Sequence, residues 1–196
     1  MSLEFNRRSF LKYSAAAAVA VAGSSLLTGC GEDEYQKTGK IGSTLKLMGT
    51  FTMYGDTKAP TYTAPSGSGV TPATYGSAVF NLSIKCTTKK VPLCVNDGCF
   101  QLTVIHNGHK ENYADSGFVT VDRPNFKLTE DDGEQDFTIT VKGTADHPLN
   151  IVADDKVEFI YFPRIQASSG NSGYTRAFCT WKMTATDNGS GGIKFQ

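Results

Sequence analysis

The sequence of 196 residues predicts an all-β domain built as an antiparallel sandwich of seven to nine short strands. Three observations lead there. Apolar residues alternate with polar ones over short windows, which is the period of a strand. Clusters of Gly, Asn, Asp and Ser separate the windows: HNGHK at 106–110, EDDGEQD at 130–136, SSGNSG at 168–173 and DNGSGG at 187–192. No long helical pattern and no internal repeat interrupts them.

The elements follow in order. Thr44–Met53 places Leu45, Leu47, Phe51 and Met53 at alternate positions and is expected as one strand. The segment GDTKAPTYTAPSGSGVTPATYGS (55–77), with three Pro and four Gly, is expected as a long irregular loop. Val79–Thr87 lines up Phe80, Leu82, Ile84 and Cys86 on one face, and Cys99–Ile105 lines up Phe100, Leu102 and Val104. Short strands are expected at Phe118–Val121 and Phe137–Val141. Val157–Phe162, apolar on both faces, suits a central strand. Ala177–Ala185 aligns Ala177, Cys179, Trp181, Met183 and Ala185. Phe126–Leu128 and Ile193–Phe195 are smaller additions.

The N-terminus carries an address. Arg7-Arg8 is followed by Ser9, Phe10, Leu11 and Lys12, then an uncharged stretch from Tyr13 to Leu27 rich in Ala, Val, Ser and Gly. A basic start before a modest apolar run is an export signal. At about 15 residues the run falls short of the roughly 20 that a spanning helix needs. Arg7, Arg8, Phe10, Leu11 and Lys12 resemble the twin-arginine signal, with Asn6 where that signal usually has Ser or Thr. Leu27-Thr28-Gly29-Cys30 resembles the lipobox of bacterial lipoproteins, which implies cleavage before Cys30 and a diacylglyceryl group on its thiol. The division is therefore a signal peptide at 1–29, a polar tether at 30–43 and one domain at 44–196. The expected location is the extracytoplasmic side of the cell membrane, held there by lipid.

Removing residues 1–29 takes away Arg7, Arg8, Lys12 and Glu4 and leaves a net charge of about −2. A near-neutral chain has no global electrostatic reason to bind nucleic acid. Setting Cys30 aside, Cys86, Cys94, Cys99 and Cys179 form an even set, which in an exported chain reads as two disulfides. Three pairings exist. The preferred one joins Cys94 to Cys99 across Val95-Asn96-Asp97-Gly98, and Cys86 to Cys179 between distant strands. No pair of CxxC motifs supports a metal instead.

A bridge beside Trp181 is reminiscent of the immunoglobulin arrangement, although Trp181 follows the second cysteine rather than lying between the two. The run AVFNLSIKCTTKKVPLCVNDGCFQLTVIHNGHKENY (78–113), with EDDGEQDFTITVKG and VEFIYFP, resembles a broad group of bacterial immunoglobulin-like lipoproteins. Asn107-Gly108 to Tyr113, together with Gly133, hold the places of the turns in that pattern. The resemblance implies an immunoglobulin-like β-sandwich and an envelope address, and supplies no catalytic residues.

Three places in the sequence bear on chemistry. His106 and His109 flank Asn107-Gly108, and two imidazoles on one turn suit a transition metal if a third ligand joins them. No pattern completes that set, so the pair reads as exposed turn histidines, with His147 elsewhere. Glu130, Asp131, Asp132, Glu134 and Asp136 around Gly133 do not follow the calcium-loop spacing and read as a solvated turn, as does Asp154-Asp155. Nucleophile and phosphate-loop motifs are absent. No metal, no cofactor and no enzymatic activity are therefore expected. The binding candidates are Tyr62 and Tyr75 in the 55–77 loop and Tyr174 and Arg176 in the 166–176 loop, because Tyr among Ser, Gly and Asn is the composition of recognition loops. The functional expectation is a lipid-anchored module recognising a protein or glycan. The alternatives are an exported metal-binding or enzymatic domain centred on His106 and His109, and a passive spacer.

Overall fold

The structure, a computed structural model, describes residues 35–67, 74–89, 92–166, 172–174 and 177–196. Its strands are β1 (Gln36–Gly39), β2 (Thr44–Lys46), β3 (Gly49–Met53), β4 (Thr61–Thr63), β5 (Ser77–Cys86), β6 (Leu93–Val95), β7 (Phe100–His106), β8 (His109–Ala114), β9 (Val119–Val121), β10 (Phe126–Leu128), β11 (Glu134–Lys142), β12 (Lys156–Tyr161), β13 (Arg164–Gln166), β14 (Ser172–Tyr174), β15 (Phe178–Asp187) and β16 (Ile193–Phe195). The helices among the described residues are two single 3₁₀ turns, Asp97–Cys99 and Glu130–Asp132. The domain is all-β, as its alternation predicts. Its sheets are open, and many strands are only three residues long.

Two long strands organise the ladders. β5 pairs along one whole edge with β11, from Glu134↔Lys85 to Lys142↔Ser77. Its other edge takes β3 and β4 end to end. β15 pairs with β12 on one edge, and on the other takes β1 in parallel and β16 antiparallel. β7 and then β8 extend the β12 side. A Lys194↔Thr61 bridge from β16 to β4 links the two ladders. A smaller sheet runs β10-β6-β13-β14.

Alternation puts one face of each ladder into a shared core. Phe80, Leu82, Ile84 and Cys86 of β5 are fully buried, as are Cys179, Trp181 and Ala185 of β15. The Phe80 ring stacks on Phe159 at 4.2 Å, and Phe51 meets Tyr161 edge-on at 5.0 Å. Full burial of side chains of this size contributes roughly 1.5–3 kcal/mol each. The Trp181 indole donates to the Ser43 carbonyl at 3.1 Å, which satisfies its one polar atom.

Four expectations are corrected. Thr44–Met53 is a hairpin rather than one strand, with β2 folding back on β3 so that Leu45 pairs with Phe51. Gly49 permits this, since a Cβ there would lie 2.3 Å from the Lys85 carbonyl oxygen of β5. The polar stretch expected as tether is structured from Tyr35 on. β1 has no apolar alternation and is held by backbone pairing with β15. The 55–77 loop contains β4, clipped to β5.

The fourth correction concerns the cysteines. Neither Cys94–Cys99 nor Cys86–Cys179 is a disulfide, because the sulfurs are not near bonding distance. The Cys99 thiol turns onto the Cys94 carbonyl and the Asn96 side-chain oxygen, each at 3.3 Å. The Cys86 thiol faces the Thr88 carbonyl at 3.7 Å. Cys179 lies between β12 and β1, opposite Tyr161 and Lys37, where burial pushes its thiol up to about 12.

Candidate functional site

The β7–β8 hairpin closes through Asn107 and Gly108, whose φ values of 48° and 83° are both positive, as a two-residue hairpin turn of this hand requires. His106 and His109 are a directly opposed pair across it. Their imidazoles therefore share a face, and Glu111, two residues along β8, shares it with them.

The segment leading into β12 faces this hairpin. Asp155 is 3% exposed. Its Oδ1 lies 2.6 Å from His106 Nδ1, and its Oδ2 accepts the Val152 amide at 2.9 Å. A carboxylate only accepts, so the shared hydrogen belongs to Nδ1. Nε2 faces the solvent side, where the Asn107 side-chain nitrogen lies at 3.0 Å. His106 itself is 57% exposed, so a buried anion orients a reachable ring. Val104, His109, Glu111, Asn150 and Val152 complete a cleft of about 160 Å³ around this pair.

The far wall, residues 148–152, is pinned from behind. The Tyr62 hydroxyl donates to the Leu149 carbonyl at 3.1 Å and accepts the Ile151 amide at 2.9 Å. Burial raises the pKa of that phenol. The Leu149 amide bonds to the Tyr75 carbonyl at 2.8 Å. Tyr113 donates to the Pro148 carbonyl at 2.9 Å and lies 3.0 Å from Glu111 Oε2. Burial first, and the Glu111 carboxylate second, hold its phenol well above the ordinary range. His147 packs its ring on Tyr113 at 4.6 Å and sits 4.0 Å from Glu111. All three histidines of the chain thus gather at this end.

Of the binding candidates, Tyr62 turns its hydroxyl inward to hold the wall. Tyr75 is 39% exposed and contributes its backbone. Tyr174 belongs to β14, opposite Arg164. Arg176, Cys30 and the signal residues Arg7, Arg8, Phe10, Leu11 and Lys12 lie outside the described residues. Sequence reasoning missed Glu111 and Asn150 and took Asp155 for a solvated acid. Nothing local sets Asp155 apart from a solvated acid, since its partner His106 lies 49 residues away. Within the acidic turn, Asp132 accepts the Thr129 amide and hydroxyl, both at 2.6 Å. Asp136 is held by Lys58 at 2.6 Å and by Tyr54 at 2.7 Å. Among the described residues, no three His, Cys, Asp or Glu side chains are arranged to hold a metal ion.

Comparison with known families adds the address. The model for the TAT (twin-arginine translocation) pathway signal sequence matches residues 4–24. The chain carries a twin-arginine export signal. No curated protein and no solved structure matches the chain. The signal and the strands together describe an exported all-β domain.

Proposed function

We propose that the exported domain is a lipid-anchored binding module on the outer side of the cytoplasmic membrane, with an immunoglobulin-like sandwich presenting the His106–Asp155 cleft to a glycan. The observation that carries this is the buried Asp155 holding a reachable His106 beside a wall fixed by Tyr62 and Tyr113. Imidazole, carboxylate and side-chain amide converge there, and each can bond a hydroxyl. At about 160 Å³ the cleft is smaller than the roughly 300–1,000 Å³ of sites that enclose a whole small molecule, so it suits one unit of a longer ligand. The anchor rests on Leu27-Thr28-Gly29-Cys30, which follows the matched signal at the spacing of a lipoprotein cleavage site.

The test is binding of the mature chain to an array of purified envelope glycans and peptides, repeated with Asn150→Ala and His106→Gln. Retention of a glycan by the native chain, with at least about tenfold weakening in both variants, supports the reading; tenfold corresponds to about 1.4 kcal/mol. Equal retention by all three proteins removes the cleft from the binding surface, and retention of peptides alone favours a protein partner.

A second reading has one observation behind it. A carboxylate orienting a histidine through Nδ1 is the orienting half of a general base. Turnover of ester or glycoside probes that is abolished by His106→Gln would establish an enzyme in place of a binder.

A further inference from the structure

We infer that the end of the domain carrying Tyr35, Phe162 and Phe178 seats on the bilayer surface, with the cleft directed away from it; this rests on the lipid anchor at Cys30 proposed above. The chain from Cys30 to Tyr35 is five peptide steps, and at 3.3–3.6 Å per residue it reaches about 17 Å when fully extended. A domain of this size has a radius of gyration of about 15 Å, so the link is shorter than the domain is wide. Such a link keeps the domain at the surface and selects the part that meets it, the point where β1 begins.

That point is aromatic. Tyr35 is 54% exposed, the most exposed large apolar side chain among the described residues. Its carbonyl accepts the Phe178 amide at 2.9 Å, which fixes it to the start of β15. Phe178 and Phe162 are both half-buried, with their rings 5.9 Å apart. An amphipathic tyrosine ring beside partly exposed phenylalanines is the chemistry of the headgroup level of a bilayer.

The register then sets the direction. β1 runs parallel to β15 from Gln36↔Phe178, so the chain moves away from this end as it enters the sheet. β12 runs from Lys156, beside Asp155, to Tyr161 at the aromatic end. Between Phe178 and Thr184, the partner of Lys156, lie six strand steps, or about 20 Å at 3.2–3.4 Å per residue. Anchor and cleft therefore occupy opposite ends of one ladder, and a membrane-bound domain holds His106 outward.

The experiment uses the full chain, purified with its native modification and placed in phosphatidylethanolamine–phosphatidylglycerol vesicles bearing a photoactivatable lipid at headgroup depth. Intact mass reports the lipid on Cys30, and peptide mapping reports the label. The expected result is a lipidated chain labelled at Tyr35, Phe162 and Phe178 at least about threefold more than at 101–112, with Tyr35→Ser lowering the label on both phenylalanines. A lipidated chain labelled evenly, or labelled chiefly along the lysines of the outer sheet face at Lys40, Lys156 and Lys182, overturns the seat and leaves the anchor standing. So does a Tyr35→Ser chain labelled like the native one. A chain without lipid overturns both.

Discussion

His106 Nδ1 and Asp155 Oδ1 lie 2.6 Å apart, joining the tip of the β7–β8 hairpin to the residue just before β12. The same carboxylate takes the Val152 amide, so one buried side chain holds both sides of the cleft. Asp155→Ala leaves that amide and the imidazole without their acceptor. Val152 and His106 are both exposed, so water can take the acceptor's place, and each lost hydrogen bond costs about 0.5–1.5 kcal/mol. The expected outcome is a loss of that size in urea denaturation, with the His106 ring signals losing their single environment in NMR. Unchanged stability would show that the pair does not organise this end.

Tyr62→Phe tests the wall. The substitution keeps the ring and removes a hydroxyl that serves both the Leu149 carbonyl and the Ile151 amide. Two hydrogen bonds at about 0.5–1.5 kcal/mol each set the expected loss of stability. Because Asn150 lies between those two residues, glycan retention should fall with it. Stability lost with retention intact would make Tyr62 purely structural.

These two residues show what was legible. Strand existence was readable because one face is buried, and Phe80, Leu82, Ile84 and Cys86 alternate without a break. β1 was not readable. Gln-Lys-Thr-Gly buries little, and its pairing rests on backbone groups that every sequence carries. The hairpin tip at Asn107-Gly108 was readable from its turn chemistry, and so the opposed histidines were too. Asp155 was not, because its partner is 49 residues away and nothing local distinguishes a buried carboxylate from a solvated one. The disulfide reading failed for a related reason. An even cysteine count says nothing of where the sulfurs point, and here the Cys99 thiol points at a carbonyl.

Gly76→Ala is expected to be among the most damaging small substitutions. Gly76 has φ of 84°, and a Cβ there would lie 2.1 Å from the Leu149 carbonyl oxygen. A side chain must shift the cleft wall and also adopt a left-handed backbone, which costs an L-residue about 1–2 kcal/mol before any clash. Thermal unfolding should fall by several degrees. Gly108→Ala has a comparable φ of 83° but open space around it, and should show the backbone cost alone.

Cys179 offers a chemical check on the sheet. Its thiol is buried on β15, between β12 and β1, and pushed up to about 12 by desolvation, so little thiolate exists at neutral pH. Iodoacetamide at neutral pH should leave Cys179 unmodified in the native domain and alkylate it in denaturant without added reductant. Protection that persists in denaturant and disappears on reduction would mean that this cysteine is bridged.

Acid stability should depend on Asp136. Hydrogen bonds from Lys58 first, and Tyr54 second, hold its carboxyl below the ordinary 3.8. The folded state therefore binds fewer protons than the unfolded chain near that pH, and stability rises with pH there. The contribution is complete above the ordinary carboxylate range and is lost as pH falls through the lowered value. Lys58 and Asp136 are each about half exposed, which keeps the effect within the ~0–1 kcal/mol of a surface pair. Urea titrations from neutral pH down to pH 3 should show the native protein losing this increment. Asp136→Asn should start lower and follow a flatter curve over the same range. Because the pair ties Lys58, in the loop before β4, to β11, the variant should also expose 55–60 to faster hydrogen exchange at neutral pH. Parallel curves for the two proteins would place the acid sensitivity elsewhere.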